Sequence, residues 1–295
     1  VLQSVTPLGN GLTRYEWKHR YPIDYYLISV AVAKYVDYSV YANPVGSPNP
    51  VLIQNYIYDN PQTLPNFIDD INETVDFLEL FATQFGPYPF ADEKYGHCMA
   101  PIGGGMEHQT MTTQGFFEKT LTAHELAHQW WGNHVTCASW CDIWLNEGFA
   151  SYAEYLMLAN LYPGDQIAHM QQVHQSVMNQ AGGSVWVLDS LDEARIFNGR
   201  LTYDKGAAII HTIRYIINND NLFFDALKDF QLTYAHSTAT GLDFKNHVAN
   251  FCNLDLDAFF EQWYFGEGFP TYEIVWNQLG TDVLIEINHT ASKPT

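Results

Sequence analysis

Basic residues are scarce in this 295-residue chain: 13 Lys and Arg stand against 33 Asp and Glu, a formal net charge of −20. A deficit of that size argues against nucleic acid or an anionic membrane surface as a partner, because both need clustered cations. It is compatible with a ligand that carries a free ammonium, although a solvated acidic surface accounts for most of these charges. Cysteine is sparse too. Cys98, Cys137, Cys141 and Cys252 show none of the paired spacings of a cysteine metal site. Cys137 and Cys141 flank Trp140, which leaves both a local disulfide and two unpaired thiols open.

No uninterrupted apolar run reaches membrane-spanning length, and no internal repeat or low-complexity segment is present. The chain opens Val1-Leu2-Gln3-Ser4, without Met or a basic start, and is expected to be an excised or mature portion of a longer protein. Two Asn-x-Thr sequons, at Asn72 and Asn288, are a weak signal, and an extracytoplasmic location is slightly favoured over a cytoplasmic one. At 47% hydrophobic, the chain is able to bury one large core, or a core plus smaller units.

What is present centres on Thr122-Ala123-His124-Glu125-Leu126-Ala127-His128-Gln129-Trp130-Trp131. Good helix formers fill the stretch and Gly132-Asn133 stops it, so a helix is expected over 120–131. Four residues are about 1.1 helical turns, so His124 and His128 project from one face, spaced to share one Zn²⁺. Glu125 is adjacent, able to reach water at the metal without being a ligand. Catalytic zinc needs a third protein ligand. Eighteen residues separate His128 from Glu147, which lies within Trp144-Leu145-Asn146-Glu147-Gly148-Phe149-Ala150-Ser151-Tyr152. The gap accommodates a loop and the start of a second helix.

Upstream, Gly103-Gly104-Gly105-Met106-Glu107-His108 places three glycines before Met-Glu. Such a run implies backbone that approaches something closely or takes positive φ. A plain tight turn would use it, and so would an edge strand that pairs with an extended peptide while Glu107 meets the peptide's ammonium. Helices are expected over 64–85, 146–161, 165–178, from about Tyr203 to Ile217, and over about 220–236, 243–252 and 255–265. Strands are expected at Tyr25–Val32, at Val51–Tyr58 and within Tyr272–Ile287. His169 and His174 read as a solvated helix face, and the phenylalanines Phe223, Phe224, Phe230, Phe244, Phe251, Phe259 and Phe260 read as core.

His-Glu-Leu-Ala-His at 124–128, the eighteen-residue gap and Asn146-Glu147-Gly148-Phe149-Ala150 together resemble the zinc signature of the aminopeptidase N family of gluzincin metallopeptidases. Gly104-Gly105-Met106-Glu107-His108 resembles that family's Gly-x-Met-Glu-Asn exopeptidase motif, with His108 in place of Asn. Tyr203-Asp204-Lys205-Gly206-Ala207 resembles the segment that carries its transition-state tyrosine, and Phe269-Pro270-Thr271-Tyr272 the junction leading out of its catalytic domain. The resemblance runs from about Tyr15 to Trp276.

It implies an α+β, thermolysin-like zinc peptidase domain: a mixed sheet, then a mainly helical subdomain, with the metal helix between them. Residues 1–45 would be the end of a mostly missing N-terminal β domain. Residues 46–270 would be the catalytic domain, and 271–295 the first strands of a small β domain. By the same resemblance one Zn²⁺ is held by His124, His128 and Glu147. Glu125 is the general base, Tyr203 the oxyanion donor, and Glu107 with Gly103, Gly104, Gly105 and Met106 the substrate grip. The expected activity is removal of N-terminal residues from peptides with a free amine. A gluzincin endopeptidase and a catalytically weak, metal-holding peptide-binding module are the alternatives.

Overall fold

The computed structural model describes residues 2–293. Val1, Pro294 and Thr295, which belong to the two expected flanking segments, lie outside the described residues. The chain begins with a ribbon: β1 (Leu2–Gly9) and β2 (Leu12–Trp17) pair antiparallel. Asn10 and Gly11 turn it, both at positive φ as a tight hairpin requires.

The apolar run Tyr25–Val32, expected as a strand, is not one. Tyr25–Leu27 forms a single 3₁₀ turn, and Ile28, Val30 and Val32 stand 64%, 86% and 90% exposed. β-prone residues become a strand only where a neighbour completes the ladder, and no described strand pairs with this run.

β3 (Tyr35–Ala42) then pairs antiparallel with β4 (Val51–Tyr58), where Val51, Ile53 and Ile57 alternate inward as period two dictates. α1 (Thr63–Phe85) packs across the sheet, burying Ile71, Leu78, Ala82 and Phe85, while Ile68 and Val75 stay half-buried. It stops at Gly86, whose φ of 103° ends the helix. β5 (Tyr95–Met99), β6 (Gly105–Met106) and β7 (Thr112–Gln114) complete a mixed five-stranded sheet in the order β3-β4-β5-β7-β6. β5 runs parallel to β4 and β7, whereas β6 turns back antiparallel on β7 and forms the sheet's edge.

The helical half follows. α2 (Lys119–Ala127) leads through β8 (Val135–Cys137) to α3 (Trp144–Leu161), α4 (Asp165–Met178) and the short α5 (Glu193–Ile196). α6 (Gly206–Ile217) and α7 (Asp220–Thr233) precede β9 (Ser237–Ala239), which pairs parallel with β8. α8 (Gly241–Cys252), opened by a Thr240–Asp243 capping box, and α9 (Asp257–Phe260) close the helical part. β10 (Pro270–Leu279) and β11 (Asp282–Ala291) end the chain as a second ribbon.

One core joins sheet and helices. Phe81, Phe85, Trp130, Trp131, Trp144, Phe149, Phe230 and Phe244 are fully buried within it, and the Trp131 and Phe149 rings stack with centroids 3.7 Å apart. That stack locks the turn that follows α2 onto α3. Of the phenylalanines expected in the core, Phe224 and Phe259 are only partly buried and Phe251 is exposed, at the outer face of α8. All four cysteines are free thiols, so Cys137 and Cys141 form no disulfide. The mixed sheet, helical half and ribbons at both ends are the α+β architecture expected of the chain.

Candidate active site

α2 starts where the Glu118 side chain accepts hydrogen bonds from the Thr120 and Leu121 amides. It ends sooner than expected, at Ala127, with His128 at its last helical backbone position. His124 and His128 still sit one turn apart, their ring centroids separated by 4.8 Å. Each ring uses Nδ1 for orientation. His128 Nδ1 donates to the Trp131 carbonyl at 2.9 Å, and His124 Nδ1 lies 2.8 Å from a Glu154 carboxylate oxygen. Both Nε2 atoms therefore turn to Glu147, whose Oε2 lies 3.2 Å from each.

α3 supplies both carboxylates. Glu147 and Glu154 are seven residues apart, two turns on one helix face, so one reaches the pair of rings while the other steers His124. Donor atoms of His124, His128 and Glu147 all lie within 4.8 Å of one another. Two imidazole nitrogens and one carboxylate oxygen form a donor set that fits a tetrahedral divalent cation with one open position.

The electrostatics favour positive charge there. Burial alone would lower the His128 pKa, but the carboxylates of Glu147 and Glu107 lift it to about 9. Burial opposes charge on His124 too, yet hydrogen bonds to Glu147 and Glu154 raise it well above its ordinary value. Glu147, against the burial that would raise it, is held well below the usual carboxylate range, first by His128. Protons and a metal cation compete for the same two nitrogens.

Glu125 and Glu107 enter from the other wall. A Cβ built on Gly105 would lie 2.5 Å from the Glu125 carboxylate carbon, so only glycine lets the edge strand come this near. The Glu125 pKa is raised to about 7, chiefly by burial, with His124 and His128 opposing and Glu107 and Glu147 adding to it. Its Oε2 is buried without a protein partner. Glu107 is likewise raised by burial, with His128 opposing. It offers a carboxylate oxygen within 4.8 Å of donor atoms of Glu125 and His128.

Of the three glycines, Gly105 makes the close approach and Gly104 takes positive φ, at 115°. At Gly103 and Gly104 a side chain would meet only open space. All three line a cleft of about 580 Å³ together with Met106, Glu107, His124, Glu125, His128, Glu147 and Tyr203.

Tyr203 lies on a wide π-helical turn, Gly199–Lys205, rather than on the α-helix expected to begin there. α6 starts only at Gly206, where a Cβ would sit 2.9 Å from the Cα of Gly148. This glycine-on-glycine crossing brings α6 against α3 one residue beyond Glu147. The Tyr203 ring lies parallel to His124, centroids 5.9 Å apart. Burial first, then the carboxylates of Glu147, Glu107 and Glu125, hold its hydroxyl protonated far above the ordinary range.

A model of the peptidase family M1 domain matches residues 70–263, about two thirds of the chain. The chain belongs to peptidase family M1. Rabbit (Oryctolagus cuniculus) aminopeptidase N is 30% identical over 263 residues, covering 76% of this chain and 26% of that protein. Leucine aminopeptidase 2 of Emericella nidulans is 25% identical over 294 residues, covering 90% of this chain and 45% of that protein. This M1 chain thus spans about a quarter to a half of the length of these two curated relatives. Among solved structures, Legionella pneumophila aminopeptidase A in complex with aspartic acid has the same fold, with a TM-score of 0.85 at 17% identity; the match covers 98% of this chain and 35% of that one. A mutant M1 zinc metallopeptidase from Deinococcus radiodurans, bound to a Tyr-Ser-Ala substrate, matches with a TM-score of 0.74 at 24% identity, over 85% of this chain and 56% of that one.

Every site residue singled out in the sequence of this M1 chain reaches the one cleft. Sequence reasoning passed over Glu154, although its place seven residues after Glu147 on the same helix was a usable signal. It also passed over the wall of Tyr26, Trp140 and Phe197, which come from three separate segments with no local pattern to announce them.

Proposed function

We propose that this M1 chain carries the chemistry of a zinc aminopeptidase, removing N-terminal residues from peptides with a free amine. The supporting observation is that one cleft joins the His124–His128–Glu147 donor set to a further buried carboxylate, Glu107, next to the open edge of β6. The names of the relatives, aminopeptidases among them, and the peptide held by the Deinococcus protein agree with this reading.

His124, His128 and Glu147 would hold Zn²⁺. When bound, the metal supplies a Lewis acid that acidifies water and polarises a carbonyl. Glu125, with one carboxylate oxygen unpartnered, takes a proton from the attacking water and passes it to the leaving nitrogen. Its pKa near 7 suits a group that must both accept and return a proton. The Tyr203 hydroxyl, kept protonated by its surroundings, donates to the oxyanion. Glu107 pairs with the substrate ammonium, and a peptide laid along β6 finds unpaired backbone there, so the chain terminus sets the register. An endopeptidase has no use for a buried carboxylate placed at the end of that strand. We read residues 1–45 and 271–295 as parts of flanking β units around a catalytic unit at 46–270; the β1–β2 and β10–β11 ribbons, which pair only with themselves, support this reading, whereas β3 (Tyr35–Ala42) joins the catalytic sheet through β4.

The test is a panel of aminoacyl fluorogenic amides assayed with and without a chelator. Chelator-sensitive release is expected. Glu107→Ala should raise KM by at least about tenfold for free-amine substrates, and an equal effect on N-acetylated peptides would overturn the assignment.

A further inference from the structure

The loop that carries Glu107 is tied to the metal-binding segment by hydrogen bonds that leave little freedom between them. Asn133 Nδ2 donates to the backbone carbonyl of Glu107 itself, at 2.9 Å and buried. Three residues on, Thr110 holds φ at 63°, a left-handed conformation costly to a β-branched residue. It is pinned from two sides. The Thr110 amide donates to Gln129 Oε1 at 2.8 Å, and Lys94 Nζ donates to the Thr110 carbonyl at 2.7 Å. Strained backbone of this kind persists only where its surroundings over-determine it.

Gln129 directly follows His128, and the Asn133 amide donates to the His128 carbonyl at 3.0 Å. Both side chains are buried, and their chemistry leaves no choice of orientation: an amide donor needs the Gln129 oxygen, and a carbonyl needs the Asn133 nitrogen. Gln129 Nε2 and Asn133 Oδ1 meet no protein partner. Each side-chain amide therefore serves the loop alone.

We propose that Gln129 and Asn133 are positioning residues that fix the Glu107 carboxylate relative to the His124–His128–Glu147 centre, and thereby set which peptides bind by their free amine. The proposal rests on the reading of Glu107 as the ammonium anchor. A bond that reaches Glu107 through its own carbonyl governs where that side chain starts. One that holds Thr110 prevents the loop from relaxing out of its strained turn.

The experiment measures binding of a free-amine dipeptide amide and of its N-acetylated form, by calorimetry, to zinc-loaded protein made inactive by Glu125→Gln. The ratio of the two affinities is the readout. Asn133→Ala and Gln129→Met should each shrink the preference for the free amine roughly tenfold, the effect of one lost buried hydrogen bond, while bound zinc is retained. Gln129→Glu, which keeps an acceptor for the Thr110 amide, should restore most of the preference, and this pair carries the test if Asn133→Ala fails to fold. An unchanged ratio in zinc-loaded Asn133→Ala or Gln129→Met protein overturns the proposal. If Glu107→Ala also leaves the ratio unchanged, the ammonium anchor itself is wrong, which separates the two failures.

Discussion

The cleft and the C-terminal ribbon are opposites in what they bury. Around His124 and His128 the fold encloses the carboxylates of Glu107, Glu125 and Glu147, groups that are costly to take from water unless paired. Along β10 and β11 it leaves Ile274, Trp276, Ile285 and Ile287 exposed, Trp276 at 68%, although burying each would contribute about 1.5–3 kcal/mol. Stability alone would favour the reverse arrangement. Charge is held inside at the cleft, where the proposed function would handle cations and protons, while the ribbon contributes little to the core of the unit that carries the cleft.

Substitutions on the two sides should differ accordingly. The largest effect belongs to Glu125→Gln, which removes the proposed proton carrier while leaving His124, His128 and Glu147 intact. Hydrolysis should fall by at least about 10²-fold with metal content unchanged, and activity retained in a metal-loaded variant would remove Glu125 from its role. Next is Glu154→Gln, which weakens the grip on His124 Nδ1 without touching the donor set. Metal affinity should drop by roughly 10- to 100-fold, measured by competition with a chromophoric chelator.

A smaller effect separates buried histidines from one another. His97 Nδ1 lies 2.7 Å from Asn55 Oδ1, its Nε2 has no partner, and burial lowers its pKa from 6.5 to about 3. Its folded pKa lies below its unfolded one, so the unfolded chain binds the extra proton between these values. Stability is full above pH 6.5 and declines as pH falls toward 3, with a slope of about 1.4 kcal/mol per pH unit for that proton. His97→Gln should flatten this limb of the denaturation midpoint against pH, and identical limbs would show that His97 charges freely in the fold. At the bottom of the scale, Trp276→Ser on the ribbon should shift unfolding of the core by no more than about 0.5 kcal/mol. A larger loss in the melting curve would mean that the ribbon supports the cleft after all.

Much of the site was legible because its chemistry is written in local spacing. Helical periodicity stacks His124 on His128 wherever the helix forms, and a glycine run before Glu107 leaves few backbone options. The helices at 63–85 and 165–178 were equally plain, since their apolar stripes face a core. What stayed hidden depends on partners distant in sequence. Tyr25–Val32 reads as a strand by composition, but a ladder needs a neighbour, and pattern does not reveal whether one is present. The π-helical turn under Tyr203 leads directly into the contact of Gly206 with Gly148, which lies far back in the chain. The wall of Tyr26, Trp140 and Phe197 exists only once three segments meet.

Glu147 and Glu154 ride on one rod. Any tilt or slide of α3 carries both together, so the proposed grip on the ion and the rein on the first imidazole shift in step. A hinge inserted between residues 148 and 153 would uncouple them, and the two corners of the centre would drift independently even with every ligand still in the chain.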